Sequence, residues 1–278
     1  MIQTSVSLSA FRPTHNAPVL FHGDLDACTA QIRELGFEGV DLFIRDPMSE
    51  DSRKAQKAIA REKLGVGVVM PAAMASAGLF LGDPSPEIRD TIISKMKDII
   101  FYAGEVGGMV SLGLVRGSVQ AGDTNTAFLE RFADSIARLL PTAEQCGVDL
   151  LIEPINRYEI NTLNNSVEAY EFIQEHQLSV YLLLDTFHMN IEDVSLEESF
   201  QKCMPIVRHV HFLDSNRLAP GMGHMDMAGL YRLLVGLGYQ GFLCLEALPQ
   251  PDGWTCAKKG REFFERINES YKSDALHR

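Results

Sequence analysis

The feature of this sequence that most constrains its fold is a repeated alternation between short β-branched or aliphatic runs and longer amphipathic segments. Runs of the first kind are typical of strands and segments of the second kind are typical of helices, so the alternation predicts consecutive βα units. We count eight units. The predicted strands are Ser5 to Leu8, Gly39 to Ile44, Val66 to Met70, Met109 to Leu114, Asp149 to Glu153, Val180 to Asp185, Arg208 to Phe212 and Phe242 to Glu246.

The predicted helices lie between these strands. They include Asp26 to Leu35, Pro86 to Glu105, Thr124 to Cys146, Ser166 to His176, Met227 to Leu237 and a last one near Lys258 to Tyr271. Four glycines stand where a helix should end in a left-handed cap before the next strand, namely Gly36, Gly65, Gly147 and Gly238. No linker or break in composition divides the 278 residues. The sequence therefore predicts one α/β domain over residues 1–278, folded as a closed (β/α)8 TIM barrel.

Charge and cysteine usage exclude several classes of function. The net charge is −12, and no tract is rich enough in lysine and arginine to neutralise several phosphates, so we expect no nucleic acid partner. The five cysteines are scattered and form no C-x-x-C motif, which predicts reduced thiols. No secretion signal begins the chain and no run approaches 18 apolar residues, so we expect a cytoplasmic protein without a membrane segment.

Polar residues lie at the ends of the last four predicted strands, where barrel enzymes gather their catalytic groups. The fifth strand closes at Glu153, the sixth at Asp185 and the eighth at Glu246, and the seventh carries His211. A single carboxylate in such a position would more often cap a loop or pair with an arginine. Four in register predict one divalent-metal site, and a set rich in oxygen with one imidazole suits Mn²⁺, Co²⁺ or Mg²⁺ better than a structural zinc.

Four sequence blocks at these strand ends bring a family into view. They are IEPINRYE with Glu153 and Glu159, LLDTFHMNIED with Asp185 and His188, HVHFLDSNRLAPGMGHMD with His211 and Arg217, and CLEALP with Glu246. The chain resembles the xylose-isomerase-like sugar isomerase and epimerase superfamily, and within it the D-tagatose/D-psicose 3-epimerase group. The resemblance spans the whole barrel and implies a small-molecule sugar substrate and a homodimer or homotetramer.

The resemblance also implies roles for individual residues. Glu153, Asp185, His211 and Glu246 would bind one divalent ion, with Mn²⁺ as the first choice, and Glu159, His188 and Arg217 would contact the substrate. Epimerisation beside a ketone needs a base on one face of the carbon and an acid on the other. Because Glu153 and Glu246 come from nonadjacent strands, we expect them to flank the sugar and to exchange these two roles with the direction of reaction.

Arg116 departs from the family pattern. The 3-epimerases carry aromatic side chains after the first and fourth strands, whereas this chain reads LGLVRGSVQAG after the fourth. We expect Arg116 to border the pocket and to bind a carboxylate or phosphate, since a guanidinium meets either group through paired hydrogen bonds. The blocks LVRG, EPINRYE and SNRLAPGMGH resemble the subgroup that epimerises keto-sugar acids such as 5-keto-L-gluconate. The alternative is a surface arginine paired with a neighbouring acid.

Other interpretations stay open at this point. His209 is in phase with His211 and should face the barrel interior, as a support for the site or as a core residue. An aldose–ketose or hydroxypyruvate-type isomerase would use the same ion and carboxylates. An endonuclease IV-like repair enzyme would need further histidine and acidic ligands and a basic rim, against which the net charge of −12 argues. An inactive sugar-binding module would not need both glutamates.

Overall fold

Eight parallel strands close into a barrel in the computed structural model, which describes residues 2–276, with side chains through Ser270. Each strand pairs with the next, and the last strand pairs with the first, which closes the sheet. The barrel strands are β1 (Gln3–Ser9), β3 (Gly39–Phe43), β4 (Gly65–Met70), β5 (Met109–Ser111), β6 (Leu150–Ile152), β7 (Tyr181–Asp185), β8 (Val207–His211) and β9 (Phe242–Leu245). The two-residue strand β2 (Phe21–His22) pairs with the end of β1. The predicted TIM barrel is confirmed.

Helices surround the barrel and include every one that the sequence predicts. They are α1 (Leu25–Glu34), α2 (Glu50–Arg61), α3 (Ala73–Ser76), α4 (Pro86–Val106), α5 (Asn125–Cys146), α6 (Ser166–Glu175), α7 (Thr186–Glu192), α8 (Leu196–Cys203), α9 (Met227–Gly236) and α10 (Gly253–Leu276). Local chemistry explains the boundaries: Ser85 caps α4 at its N-terminus and Gly107 ends it in a left-handed conformation. No helix within residues 2–276 is both long and apolar enough to cross a membrane.

Two predictions of local structure were wrong. Gly65 is not a helix cap: the left-handed residue is Lys63, with φ of 54°, and Gly65 begins β4. A glycine suits that position because a Cβ there would lie 3.2 Å from the ring of Phe242. The strand predicted over Met109 to Leu114 ends at Ser111, since the backbone turns at Gly113 into a short 3-10 helix, Leu114–Arg116.

The barrel encloses a small core of its own, separate from the large apolar layer between strands and helices. Its members are Val19, Phe43, Val68, Met70, Leu151 and Leu183. Successive strand residues point to opposite faces, so Asp41 shares the interior face of β3 with Phe43, and His209 shares that of β8 with His211. Polar side chains therefore stand inside the barrel next to an apolar cluster, below the ends of strands β6 to β9.

Candidate active site

Four neighbouring strands carry the predicted metal ligands to one end of the barrel. Asp185 and His211 are the last residues of β7 and β8 and stand side by side in the register of the sheet. Glu153 and Glu246 follow β6 and β9 directly. All four side chains are buried. The parallel sheet thus converts four positions that are far apart in sequence into one cluster.

The spacing within this cluster suits a shared ion. His211 Nδ1 lies 3.3 Å from Glu153 Oε1, 3.7 Å from Asp185 Oδ2 and 3.6 Å from Glu246 Oε2. One ligand atom from each residue lies within 4.8 Å of the others. Two atoms that bind one ion at about 2.1 Å are about 3.0 Å apart at right angles and about 3.4 Å apart at the tetrahedral angle. The observed separations are close to these values.

The hydrogen bonding of the cluster points the same way. Among the residues that the structure describes, Asp185 Oδ2 and His211 Nδ1 are buried and lack a well-aligned hydrogen-bond partner. Buried polar atoms in native proteins are nearly always paired, so two unpaired atoms aimed at one point indicate a missing partner. Burial raises the pKa of Glu246 to about 8. The neighbouring Glu153 adds to this rise in pKa, and His211 opposes it. A cation would relieve this crowding of carboxylates, so the residues fit a divalent ion.

Arg217 and Glu159 adjoin the cluster on its outer side. The Arg217 guanidinium donates to Glu159 Oε1 at 2.9 Å and to Glu246 Oε2 at 3.4 Å, and it lies 5.1 Å from the centre of the Phe187 ring. Burial opposes the charge of Arg217, but Glu246 and Asp185 outweigh it and raise the pKa of the guanidinium. The arginine is therefore a permanent cation placed between the cluster and Glu159.

His188 lies on the first turn of α7, three residues after Asp185. Its Nδ1 is 2.8 Å from Asn156 Nδ2, and its Nε2 is 3.8 Å from Asp185 Oδ2. Because an amide nitrogen can only donate, Nδ1 accepts and the proton of the neutral ring sits on Nε2. Burial lowers the pKa of His188, which favours this neutral form. The ring therefore presents an N–H donor at the cluster.

A cavity of about 890 Å³ opens above these residues. Glu153, Glu246, Glu159, His188 and Arg217 line its polar end. Much of the remaining wall is apolar, including Phe11, Val19, Phe43, Met70, Met74 and Leu114. Pockets of this size and mixture, with a few converging polar groups, are typical of small-molecule sites. Three residues predicted to contact substrate therefore share one cavity with two of the predicted metal ligands.

The prediction that Arg116 faces this cavity was wrong. Its side chain is 0% exposed and does not belong to the cavity wall. The guanidinium donates to the carbonyl oxygens of Gly113 and Glu153 through Nη1 and of Thr162 and Leu163 through Nη2, at 2.7 to 3.1 Å. The backbone turn at Gly113 directs the side chain inward, so Arg116 ties two loops together. Its terminal N–H groups are all used and cannot bind a carboxylate.

A further acidic residue was missed by the sequence interpretation. Asp41, in the middle of β3, is buried, and its Oδ2 lies 3.1 Å from His211 Nε2 and 2.7 Å from His209 Nε2. The signal was present, because a carboxylate inside the apolar run GVDLF needs a buried partner. His209 faces the interior as predicted. It contacts Asp41 and lies outside the group formed by the four predicted ligands.

Comparison with known proteins agrees with this geometry. Residues 29–267 match the family model described as "Xylose isomerase-like TIM barrel". The L-ribulose 3-epimerase of Mesorhizobium japonicum is 28% identical over 229 residues, which cover 81% of this chain and 75% of that one. The 3-dehydro-D-guloside 4-epimerase of Escherichia coli is 26% identical over 224 residues, which cover 77% of this chain and 84% of that one.

Solved structures show the same fold. A structure of L-ribulose 3-epimerase superposes with a TM-score of 0.82 at 23% identity, covering 99% of this chain and 97% of the other. The family match extends over most of the residues described above and includes all four residues of the cluster. This chain belongs to the xylose isomerase-like TIM barrel family.

Proposed function

We propose that this protein is a divalent-metal-dependent epimerase of a ketose or keto-sugar, with Glu153 and Glu246 as its acid and base. The observation that carries the proposal is that both glutamates belong to the buried cluster around His211 and also line the cavity. A carboxylate in that position can contact an ion and a substrate carbon at the same time. The relatives named above are, by their names, sugar epimerases.

The cluster would hold the ion through Glu153, Asp185, His211 and Glu246. Three carboxylates and one imidazole favour Mn²⁺, Co²⁺ or Mg²⁺, and we propose Mn²⁺. Such an ion would supply Lewis acidity, which polarises the substrate carbonyl and makes the neighbouring carbon easier to deprotonate.

Proton transfer falls to the two glutamates. Glu153 directs Oε1 toward His211, while its Oε2 occupies space beside Gly113, where a Cβ would come within 2.6 Å of that oxygen. Glu246 directs Oε2 toward His211 and Arg217. Each carboxylate therefore has a second oxygen available for a proton. One glutamate removes the proton from the carbon beside the ketone, and the other returns a proton to the opposite face.

The remaining polar groups would bind and orient the sugar. His188 presents its Nε2–H, and Arg217 presents a guanidinium close to Glu246, so both can donate to an oxygen that gains negative charge during the reaction. Glu159 accepts from Arg217 and from Asn156 and can accept from a sugar hydroxyl. We propose substrate contact for all three residues.

Arg116 gives no support to a keto-sugar acid such as 5-keto-L-gluconate as the substrate. That narrower proposal depended on Arg116, whose guanidinium is used by backbone carbonyls. The charge of Arg217 is already balanced by Glu159 and Glu246. Arg45 and Lys95 also line the cavity, and a carboxylate on the substrate would have to reach one of these two cations.

The cavity leaves room for a sugar that carries a substituent. A free hexose fills less than about 360 Å³ even at the roughly 30 Å³ per heavy atom that liquid water occupies. The cavity measures about 890 Å³ and is largely apolar away from the glutamates. One relative is named for a 3-dehydro-guloside, which is a keto-sugar with such a substituent. Free ketoses and keto-glycosides are therefore both to be tested as substrates.

Isotope exchange tests the proposal and separates its alternatives. Metal-free protein would be loaded with Mn²⁺, incubated in D₂O with ketoses, keto-glycosides and keto-acids, and freed of Mn²⁺ before NMR. An epimerase gives deuterium at one carbon together with the epimeric keto-sugar. An aldose–ketose isomerase, the second candidate, gives an aldose. Exchange that proceeds equally well without metal, or no exchange with any sugar, would contradict the proposal.

Assembly and location complete the proposal. The five cysteines are free thiols, which suits a reducing cytoplasm. We propose a cytoplasmic homodimer or homotetramer, as the family resemblance implies, and light scattering coupled to gel filtration tests the oligomeric state.

A further inference from the structure

A carboxylate lies directly beneath the candidate metal site, inside the barrel. Asp41 stands in the middle of β3, where every residue is buried. Its Oδ2 lies 3.1 Å from Nε2 of His211, the ring nitrogen that faces away from Glu153, Asp185 and Glu246. Its Oδ1 is 3.4 Å from Ser5 Oγ. The charge of Asp41 is thus held by groups inside the barrel, out of contact with solvent.

We propose that Asp41 is a positioning residue, which acts through His211 on the metal site. A carboxylate can only accept, so the contact places the His211 proton on Nε2. In the neutral ring, which is the form that binds a metal, the lone pair of Nδ1 then points at the three carboxylates above. In metal sites, the hydrogen bond of one imidazole nitrogen fixes which nitrogen binds the ion and how the ring is oriented. The inference rests on the metal site in the proposed function.

His209 supports Asp41 from the other side. Its Nε2 lies 2.7 Å from Asp41 Oδ2, and its ring stands edge-on to that of His211, with centroids 5.4 Å apart. Asp41 is therefore confined between two imidazoles on β8. Both histidines and the aspartate belong to barrel strands, so loop motion does not separate the two rings from the carboxylate.

A second ion in this lower group is the competing explanation. Asp41, His209, His211 and Cys244 each offer one ligand atom within 4.8 Å of the others. The contact between Asp41 and His209 is too short for that role. Ligand atoms on one ion lie at least about 3.0 Å apart when each is about 2.1 Å from the metal. At 2.7 Å the two atoms contact each other directly and leave no space for an ion between them.

The neighbouring strand makes room for this arrangement. Gly67 lies on β4, and a Cβ there would come within 2.6 Å of Asp41 Oδ1 and 2.9 Å of His209 Cε1. Those distances are shorter than van der Waals contact, so any side chain would push Asp41 out of its place. Gly67→Ala therefore disturbs the pair without changing any proposed metal ligand, which provides a second and independent variant.

The test measures metal binding in the absence of sugar. Titration calorimetry of metal-free protein with Mn²⁺ would give the dissociation constant and stoichiometry for wild type, Asp41→Asn and Gly67→Ala. Loss of a residue that supports a metal-bound histidine typically weakens binding by about 10- to 100-fold, and we expect that range for both variants. Ser135→Ala is the matched control, since it removes a buried hydrogen bond to Leu81 that involves neither the proposed ligands nor Asp41 and His209. It should bind Mn²⁺ normally.

Wild-type affinity in a folded Asp41→Asn or Gly67→Ala variant overturns the proposal, and so does a wild type that binds no Mn²⁺. Two Mn²⁺ per chain, one of them lost in Asp41→Asn, would establish the second-ion explanation. Should both variants fail to fold, NMR of ¹⁵N-histidine-labelled wild type loaded with Mg²⁺ decides: His211 must carry its proton on Nε2, and the opposite tautomer overturns the proposal. Normal Mn²⁺ binding without sugar exchange would instead contradict the epimerase and leave this inference standing.

Discussion

Two buried polar groups lie next to each other in this barrel, and they differ in how far their hydrogen bonds are satisfied. Arg116 uses four of its five N–H groups on backbone carbonyls, one of them the carbonyl of Glu153. The cluster of Glu153, Asp185, His211 and Glu246 keeps two buried atoms without a well-aligned partner among the described residues. The first group holds loops together, whereas the second is arranged for something that comes from outside.

The largest expected effect is the loss of stability when Arg116, the group bonded to backbone carbonyls, is removed. Arg116→Ala removes the donor to the buried carbonyls of Glu153, Thr162 and Leu163, while the Gly113 carbonyl keeps the backbone N–H of residue 116. Each loss costs at least about 1 kcal/mol, so we expect the free energy of unfolding to fall by about 3 kcal/mol or more. Urea denaturation followed by circular dichroism measures this, and Arg116→Lys should recover part of the loss. Native stability together with a selective loss on acidic substrates would restore the anion-binding role.

Substitutions in the cluster that keeps unpaired buried atoms should lower the rate of catalysis. Glu153→Gln and Glu246→Gln are each expected to lower turnover by at least about 10²-fold, the low end for a general acid or base. The measurement is the rate of epimer formation with metal content verified for each protein. Glu130→Gln, on the exposed face of α5, is the control. Turnover near wild type in either variant, with metal bound, would remove that glutamate from the mechanism.

Stabilisation by metal should depend on the cluster and not on Arg116. A ligand that binds only the folded protein stabilises it by about 2.7 kcal/mol at 100 times its dissociation constant, so Mn²⁺ should raise the melting temperature of metal-free wild type. Asp185→Asn should lose most of this rise, and Arg116→Lys should keep it. An equal rise in both variants would mean that Mn²⁺ binds elsewhere. Differential scanning calorimetry provides the comparison.

The smallest expected effect concerns Arg217, which belongs to both kinds of group because it is paired and also lines the cavity. Arg217→Lys keeps the charge but loses the planar fork that bridges Glu159 and Glu246. We expect kcat/KM for a neutral keto-sugar to fall about tenfold, equivalent to about 1.4 kcal/mol. Steady-state kinetics measures it. An unchanged value would place Arg217 outside substrate recognition.

The sequence was informative wherever the alternation of side chains along a strand determines which face of the sheet a residue occupies. In a strand, parity decides which face a side chain takes, so the ends of β7 and β8 could be assigned to one site, and His209 to the interior, without coordinates. Parallel register then brings Asp185 beside His211. The same rule would have identified Asp41, which has the parity of Phe43 and is surrounded by apolar residues. It was overlooked because it does not lie at a strand end.

The sequence was misleading wherever the position of a residue depends on the path that a loop takes in the folded protein. Nothing local distinguishes an arginine that points into a cavity from one that turns back under it, and the carbonyls that Arg116 contacts at Thr162 and Leu163 are 46 and 47 residues away. The helix stop at Lys63 was likewise assigned to Gly65, since glycine is the usual left-handed residue and lysine there depends on the surrounding fold. Both errors come from long-range packing overriding local preference.

One feature of the Arg217 loop bears on how fast the protein can act. Arg217 has a positive φ of 59°, a conformation that is unfavourable for a residue with a side chain. Its backbone is nevertheless fixed: the N–H donates to Asp214, the carbonyl accepts from Leu248, and the Asp214 carboxylate accepts from three further N–H groups. Ordering a free loop residue costs about 1 to 2 kcal/mol of conformational entropy. Here that ordering precedes the arrival of the sugar, so capture at this wall needs diffusion into the cavity and no folding of the loop.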